Sequence, residues 1–296
     1  MGDIEVNATS FGSVAGSYDR VRPGPAPAAL DWLLPADCAV AVDLAAGTGL
    51  FTRALEGRAG QVVAVEPDQR MRRVLAARSP GVRVVDGRAE DIPLPDGYAD
   101  AVFVSTAWHW FDPERAVPEI ARVLRDGGRL GVLWTSRDRN EDWVAELDVI
   151  RSPKEPRTAD QVRERLSRQH TVTMPEGVPF GAAQTASFGF TRMISVEDML
   201  DWLATASQVI TADPEERAAG LARCRAVLQA RAFAAAGTEV VQVPARSWCW
   251  RAARLPRLPL SGLRGYGCNT RFYPGAVKAA WRIDVVGCAR NRHSSW

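Results

Sequence analysis

Between residues 39 and 135, short apolar runs rich in β-branched side chains alternate with stretches whose apolar positions recur at helical spacing. The runs Ala39–Leu44, Gln61–Glu66, Val82–Asp86, Ala99–Ser105 and Arg129–Trp134 predict strands. Between them, Gly49–Glu56, Pro67–Arg78 and Pro113–Leu124 predict helices, the last with proline at its first position after Asp112. The strand candidates are apolar nearly throughout (AVAV, VVAV, VRVV, DAVFV, LGVLW), as expected of parallel strands covered on both faces. Right-handed crossovers then place helices on both sides of an α/β, Rossmann-like doubly wound sheet.

Upstream, FGSVAGSYDRVRPGPAPAALDWLLP reads as a short helical piece, a Pro/Gly turn and a second helix with Leu30, Leu33 and Leu34 on one face. Downstream, EDWVAELDVIR, TADQVRERLSRQ, SVEDMLDWLATAS and DPEERAAGLARCRAVLQARAFAAAG predict helices. SFGFTRM and TEVVQVPARSWCWRA are the remaining strand candidates. The expected organisation is an N-terminal flap over residues 1–35, a main α/β domain over 36–254 with helical additions at about 136–236, and a separate tail over 255–296.

Composition narrows the class. With 46% hydrophobic and 24% charged residues in 296, the chain is globular in character. No run reaches the roughly 18 apolar residues of a membrane span, and the N-terminus lacks a secretory pattern, so no membrane role and a cytoplasmic location are expected. The five cysteines form no Cys-x-x-Cys pair and the three histidines are scattered, which speaks against a metal site. The tail carries seven basic residues and one acid, so residues 1–254 hold 30 of 37 basic and 34 of 35 acidic side chains. A net acidic body without a basic stripe argues against a nucleic-acid partner. The tail shows no sustained period, and 35 of the 37 basic residues are arginine; an extension read out of frame, poorly ordered and dispensable, is the expectation.

The candidate chemistry begins at VAVDLAAGTG, residues 40–49, where Gly47 and Gly49 let backbone approach a ligand closely. Thr52 stands where a nicotinamide-binding turn has its third glycine, which weakens a dinucleotide reading. Glu66, at the end of the second strand run, suits the two hydroxyls of a ribose. Asp43 suits an ammonium group better than a pyrophosphate, because two anions held close repel. An ordinary helix-start turn and a capping role for Asp43 are the bland alternatives.

VDLAAGTG, VEPD, GRAEDIPLPDGYADAV, AWHWFD and EIARVLRDGGRLGVLW together, in this order, resemble the class I S-adenosylmethionine-dependent methyltransferases, near the type 11, trans-aconitate and quinone-ring methyltransferases. The resemblance covers roughly residues 11–254 and implies a seven-stranded sheet, mostly parallel, whose last strand is antiparallel. It implies S-adenosylmethionine as cofactor, held by Asp43, Ala45, Gly47, Gly49, Glu66, Pro67, Asp86, Ala89 and Glu90. It also implies a small-molecule methyl acceptor, with Tyr18, Arg22, Trp108 and Trp110 as lid or substrate residues and His109 as general base or positioning group. Trp134 reads as core. Three positions depart from the family pattern: Ala45 replaces a glycine, Asp126 a proline and Arg88 an aspartate. A nicotinamide-dependent oxidoreductase and a non-catalytic S-adenosylmethionine-binding protein are the alternatives.

Overall fold

The computed structural model describes residues 21–151, 158–205, 209, 212–235 and 237–256. Strands β1 (Val40–Leu44), β2 (Gln61–Val65), β3 (Arg83–Val85), β4 (Ala99–Ser105) and β5 (Leu124–Arg137) pair in parallel in the order β3-β2-β1-β4-β5. β8 (Thr238–Ala253) joins antiparallel to β5, and β6 (Gln184–Ser195) antiparallel to β8. Seven strands therefore form the path β3-β2-β1-β4-β5-β8-β6, with the expected reversed last strand. A short β7 (Phe233–Ala235) adds an eighth, pairing with β8 off this path.

The two-residue period of these strands explains the layering. Val42, Leu44, Val63, Val65, Val102, Val104 and Val132 enter one apolar cluster with Val117 and Ile120 of helix α4 (Pro113–Val123). Their neighbours Ala41, Val62, Ala101, Phe103 and Leu133 enter another, with Leu30 and Leu33 of α1 (Pro27–Leu33) and Phe51 and Leu55 of α2 (Leu50–Leu55). Burial on both faces is why the runs carry no polar alternation. A third cluster joins α5 (Asp142–Ile150), α7 (Val196–Ala204) and α8 (Pro214–Gln229) to the ends of β6 and β8, through Leu147, Met199, Leu203, Cys224, Leu228, Val241 and Val243.

Helix starts follow local side-chain chemistry. Asp68 accepts from Arg70 N at 2.7 Å before α3 (Gln69–Arg78), and Asp112 accepts from Glu114 N at 3.1 Å before α4. Thr158 and Gln161 form a capping box on α6 (Ala159–Gln169).

Two boundary changes have a clear cause in strand pairing. β5 extends on both sides of Arg129–Trp134, because Leu124 pairs with Ala99 of β4 at one end and β8 pairs with it as far as Arg137 at the other. The helix expected through residue 237 ends at Gln229, and Phe233–Ala235 pairs with β8 instead. Pairing to an existing strand outweighs the helix preference of an alanine-rich stretch. Tyr18, the first helical piece and residues 257–296 of the tail lie outside the described residues. Among the described residues no helix is long and apolar enough to cross a membrane.

Candidate active site

The carboxyl ends of β1, β2, β4 and β5 open onto a cavity of about 720 Å³, where α/β sheets of this order bind ligands. The turn after β1 forms one wall. Ala45, Gly47 and Gly49 all take left-handed backbone, with φ of 57°, 58° and 83°. Gly49 has a second reason to lack a side chain, since a Cβ there would lie 2.7 Å from Leu75 Cγ. Ala45 holds a left-handed backbone that glycine adopts freely, at a cost of about 1–2 kcal/mol.

Glu66 ties this turn to the next. Its Oε2 accepts from Gly47 N and its Oε1 from Asp68 N, both at 2.9 Å. The side chain is 7% exposed, and burial pushes its pKa above the usual carboxylate range. The two amide bonds leave lone pairs unused on a carboxylate that lines the cavity, which is the requirement for receiving a ribose diol.

Of the residues expected to touch the cofactor, Ala45, Gly47, Glu66, Pro67, Ala89 and Glu90 line the cavity. Asp43 and Asp86 do not. Asp43 is fully buried beneath the turn, where its Oδ2 accepts from Thr52 Oγ1 at 2.6 Å and braces the loop. Burial lifts its pKa to about 7. Asp86 is engaged by Arg72, through hydrogen bonds of 2.9 and 2.8 Å, and faces outward. Gly49 also lies behind the wall, as the N-cap of α2. Glu90 lines the cavity while its Oε1 accepts from Asp112 N at 3.0 Å, fixing the start of α4.

The stretch after β4 folds as a single 3-10 turn, Trp108–Trp110. Such a turn spreads successive side chains around its axis. Trp108, expected as a lid or substrate residue, is 3% exposed, packs 5.8 Å from the Phe111 ring and does not line the cavity. His109 and Trp110 line the cavity with ring centroids 4.6 Å apart, and burial holds the His109 pKa below its ordinary value. Arg22 also lines the cavity. Thr106, just upstream, takes φ of 60°, a costly backbone beside the wall.

Several lining residues escape sequence reading. His170 stacks between Trp134 at 5.3 Å and Trp248 at 4.6 Å. Its pKa falls to about 4, from burial first and then the charges of Arg139 and His109, so the ring is neutral at physiological pH. Trp134, expected in the core, is buried but also lines the cavity. Arg137, Arg139, Asp148, Arg151, Arg165 and Trp202 complete the far wall. Nothing in their spacing marks them, because β5, α5, α6 and α7 each contribute separately. A weak hint was available: His109 and His170 are two of only three histidines.

A parallel sheet of this order, a glycine turn with left-handed backbone and a buried acid on the next strand define a nucleotide-binding α/β enzyme. Residues 42–132 match the family described as "Methyltransferase domain". The chain is 43% identical over 243 residues to an uncharacterized methyltransferase of Mycobacterium tuberculosis, covering 82% of this chain and 95% of that one. It is 28% identical to an uncharacterized methyltransferase-like protein of Schizosaccharomyces pombe, over 72% of this chain and 83% of the other. A solved structure from Anaeromyxobacter dehalogenans, described as a candidate type II methyltransferase, aligns with a TM-score of 0.60 at 27% identity, over 80% of this chain and 99% of that one. The chain belongs to the class I S-adenosylmethionine-dependent methyltransferases.

Proposed function

We propose that this methyltransferase acts on a small-molecule acceptor bound beside His109, Trp110, Trp134 and His170, with the cofactor held across the Gly47 turn, Glu66 and Ala89–Glu90. The observation that carries this reading is Glu66. Its two oxygens are pinned by Gly47 N and Asp68 N, while the carboxylate still lines the cavity. A ribose diol supplies the further donors that a buried carboxylate requires.

The bound cofactor supplies a methyl group on positively charged sulfur, open to in-line displacement by the acceptor. The protein's share is alignment and exclusion of water. The neutral rings of His170 and Trp134 and the face of Trp110 give an aromatic wall that favours a nearby cation. His109, held largely neutral at physiological pH by burial, has a free lone pair with which to accept the acceptor's proton. Asp43 and Thr52 hold the glycine turn from beneath.

Calorimetric titration with S-adenosylmethionine, S-adenosylhomocysteine and NAD, on wild type and Glu66→Ala, tests the placement. Adenosyl-ligand binding weakened by about 1.5–3 kcal/mol in the variant is the expected result, the scale of a lost charged hydrogen bond. Unchanged affinity in Glu66→Ala, or preference for NAD, overturns it.

A further inference from the structure

The far wall of the cavity carries a charge arrangement that methyl transfer itself does not use. Asp148 on α5 accepts from Arg137 Nη2 at 2.8 Å and from Arg139 Nε, and lies 2.8 Å from Arg151 Nε. All four side chains are close to fully buried: 4% exposed for Asp148 and Arg137, 9% for Arg151 and 11% for Arg139. One carboxylate thus faces three guanidiniums, and the group holds two net positive charges where water is scarce. Buried charge of one sign is costly until an opposite charge completes it.

Arg137 shows where the compensation is missing. Its Nη2 is used by Asp148, but its Nε and Nη1 find no hydrogen-bond partner among the described residues. It also lies over the Trp202 ring, 5.2 Å from the guanidinium carbon, which steadies a cation but offers no lone pair in the plane. Burial, aided by its two arginine neighbours, lowers the Arg137 pKa to about 9, so the group stays charged at neutral pH.

The cavity is also segregated by charge. Of the side chains lining it, Glu66, Asp68 and Glu90 come from the loops after β2 and β3 with Arg88 beside them, whereas Asp148 is the one acid beside Arg137, Arg139, Arg151 and Arg165. An anion is therefore repelled from one set of loops and attracted to β5 and α5. Carboxylates and phosphates offer acceptors only, matching the unused N–H groups of Arg137.

We propose that the methyl acceptor is a small organic acid whose carboxylate or phosphate is anchored by Arg137, flanked by Arg139 and Arg151. The inference rests on the reading of the glycine-turn wall as the cofactor site. The aromatic wall of Trp134, His170 and Trp202 covers the rest of the molecule. Neutral alcohols and amines of the same size accept only an uncharged hydrogen bond from Arg137, leave its charge uncompensated and bind less well.

The test compares matched probes: phenylacetate with phenylacetamide, hexanoate with hexanamide, and phenyl phosphate. Their affinities for the full chain are measured by calorimetry with and without saturating S-adenosylhomocysteine. Each acid is expected to bind at least about tenfold more tightly than its amide, the scale of a charged hydrogen bond. In Arg137→Met that preference falls below about threefold while S-adenosylhomocysteine affinity stays within about twofold of wild type. Should Arg137→Met fail to fold, sulfate competition on the wild type decides: sulfate must displace phenylacetate without displacing S-adenosylhomocysteine. Phenylacetate against phenyl phosphate separates the two anion types. Equal binding of acids and amides, no binding of any acid, or a preference that survives Arg137→Met overturns the inference. Absence of S-adenosylhomocysteine binding instead sinks the cofactor placement, and the probe comparison without that ligand still reads the anion site.

Discussion

Beneath the glycine turn, Thr52 Oγ1 donates a 2.6 Å hydrogen bond to Asp43 Oδ2, and neither residue is exposed to solvent. The bond joins the end of β1 to the second residue beyond the N-cap glycine's neighbour in α2, so it braces both sides of the turn that Gly47 presents to the cavity. It also confines a carboxylate. Asp43 Oδ1 has no hydrogen-bond partner among the described residues.

The confinement has a pH signature. Burial raises the Asp43 pKa from an ordinary value near 3.8 to about 7. The folded state then holds a proton that the unfolded state has lost, and stability falls as pH rises from about 4 to about 7. Asp43→Asn keeps the shape and an acceptor for Thr52 but removes the ionisation. Relative to wild type, the variant should gain about 2–3 kcal/mol between pH 5 and pH 8. Urea unfolding of both proteins at the two pH values measures this. A wild-type-to-variant difference that stays constant with pH would refute it.

The two glycines of the turn separate strain from crowding. At Gly47 (φ 58°) an added Cβ meets nothing within 4 Å, so Gly47→Ala should cost about 1 kcal/mol from backbone conformation alone. At Gly49 (φ 83°) the same change also drives Cβ against Leu75, and Gly49→Ala should cost about 3 kcal/mol once that overlap is added. Denaturation midpoints rank them. Equal losses would mean that the fully buried Leu75 shifts aside.

Much of the sheet was legible because its strands are buried on both faces, and a continuous apolar run such as DAVFV has few other uses. The glycine turn and Glu66 were legible because their chemistry lies within 24 residues, in Asp43–Glu66. Trp108 was not, since a 3-10 turn aims neighbouring side chains apart in a way that the string WHWFD does not reveal. The arginine wall was hidden for a different reason. Arg137, Asp148, Arg165 and Trp202 come together only after β5, α5, α6 and α7 have packed; the three charged residues look like surface positions in their own segments, and Trp202 like core. The role of Asp126 was hidden for the same reason, since its partner Arg254 lies 128 residues away.

Removing the acid and removing a base from the buried cluster should differ sharply. Asp148 has a pKa well below the usual range, because the attraction of Arg137, Arg139 and Arg151 outweighs its burial. Its stabilisation is present above an ordinary carboxylate pKa and is lost as pH falls through the depressed value. Asp148→Asn leaves three arginines without their anion and should cost about 3–5 kcal/mol at pH 7. Arg137→Met leaves Asp148 with two partners, lowers the excess charge and should cost less than about 2 kcal/mol. Thermal and urea unfolding of the two variants decide; equal costs would show that the cluster is balanced as it stands.

The C-terminal edge of the sheet closes on Arg254. Its side chain is 5% exposed and pairs with Asp126, its N–H donates to Gly128 O at 2.7 Å, and its carbonyl accepts from Gly127 N at 3.0 Å. Leu255 N adds a 2.8 Å bond to Pro179 O, so a cut directly after Arg254 would sever a contact that a cut after Pro256 preserves. A chain ending at Pro256 retains every pairing of β8 with β5, β6 and β7. It should unfold within about 0.5 kcal/mol of the full chain and bind S-adenosylhomocysteine with the same affinity. Asp126→Ala in that shortened chain leaves the Arg254 guanidinium buried without this carboxylate and should cost about 3 kcal/mol. Loss of folding or of ligand affinity on truncation at Pro256 would mean that residues 257–296 belong to the working enzyme, and the view of them as a dispensable extension would have to be abandoned.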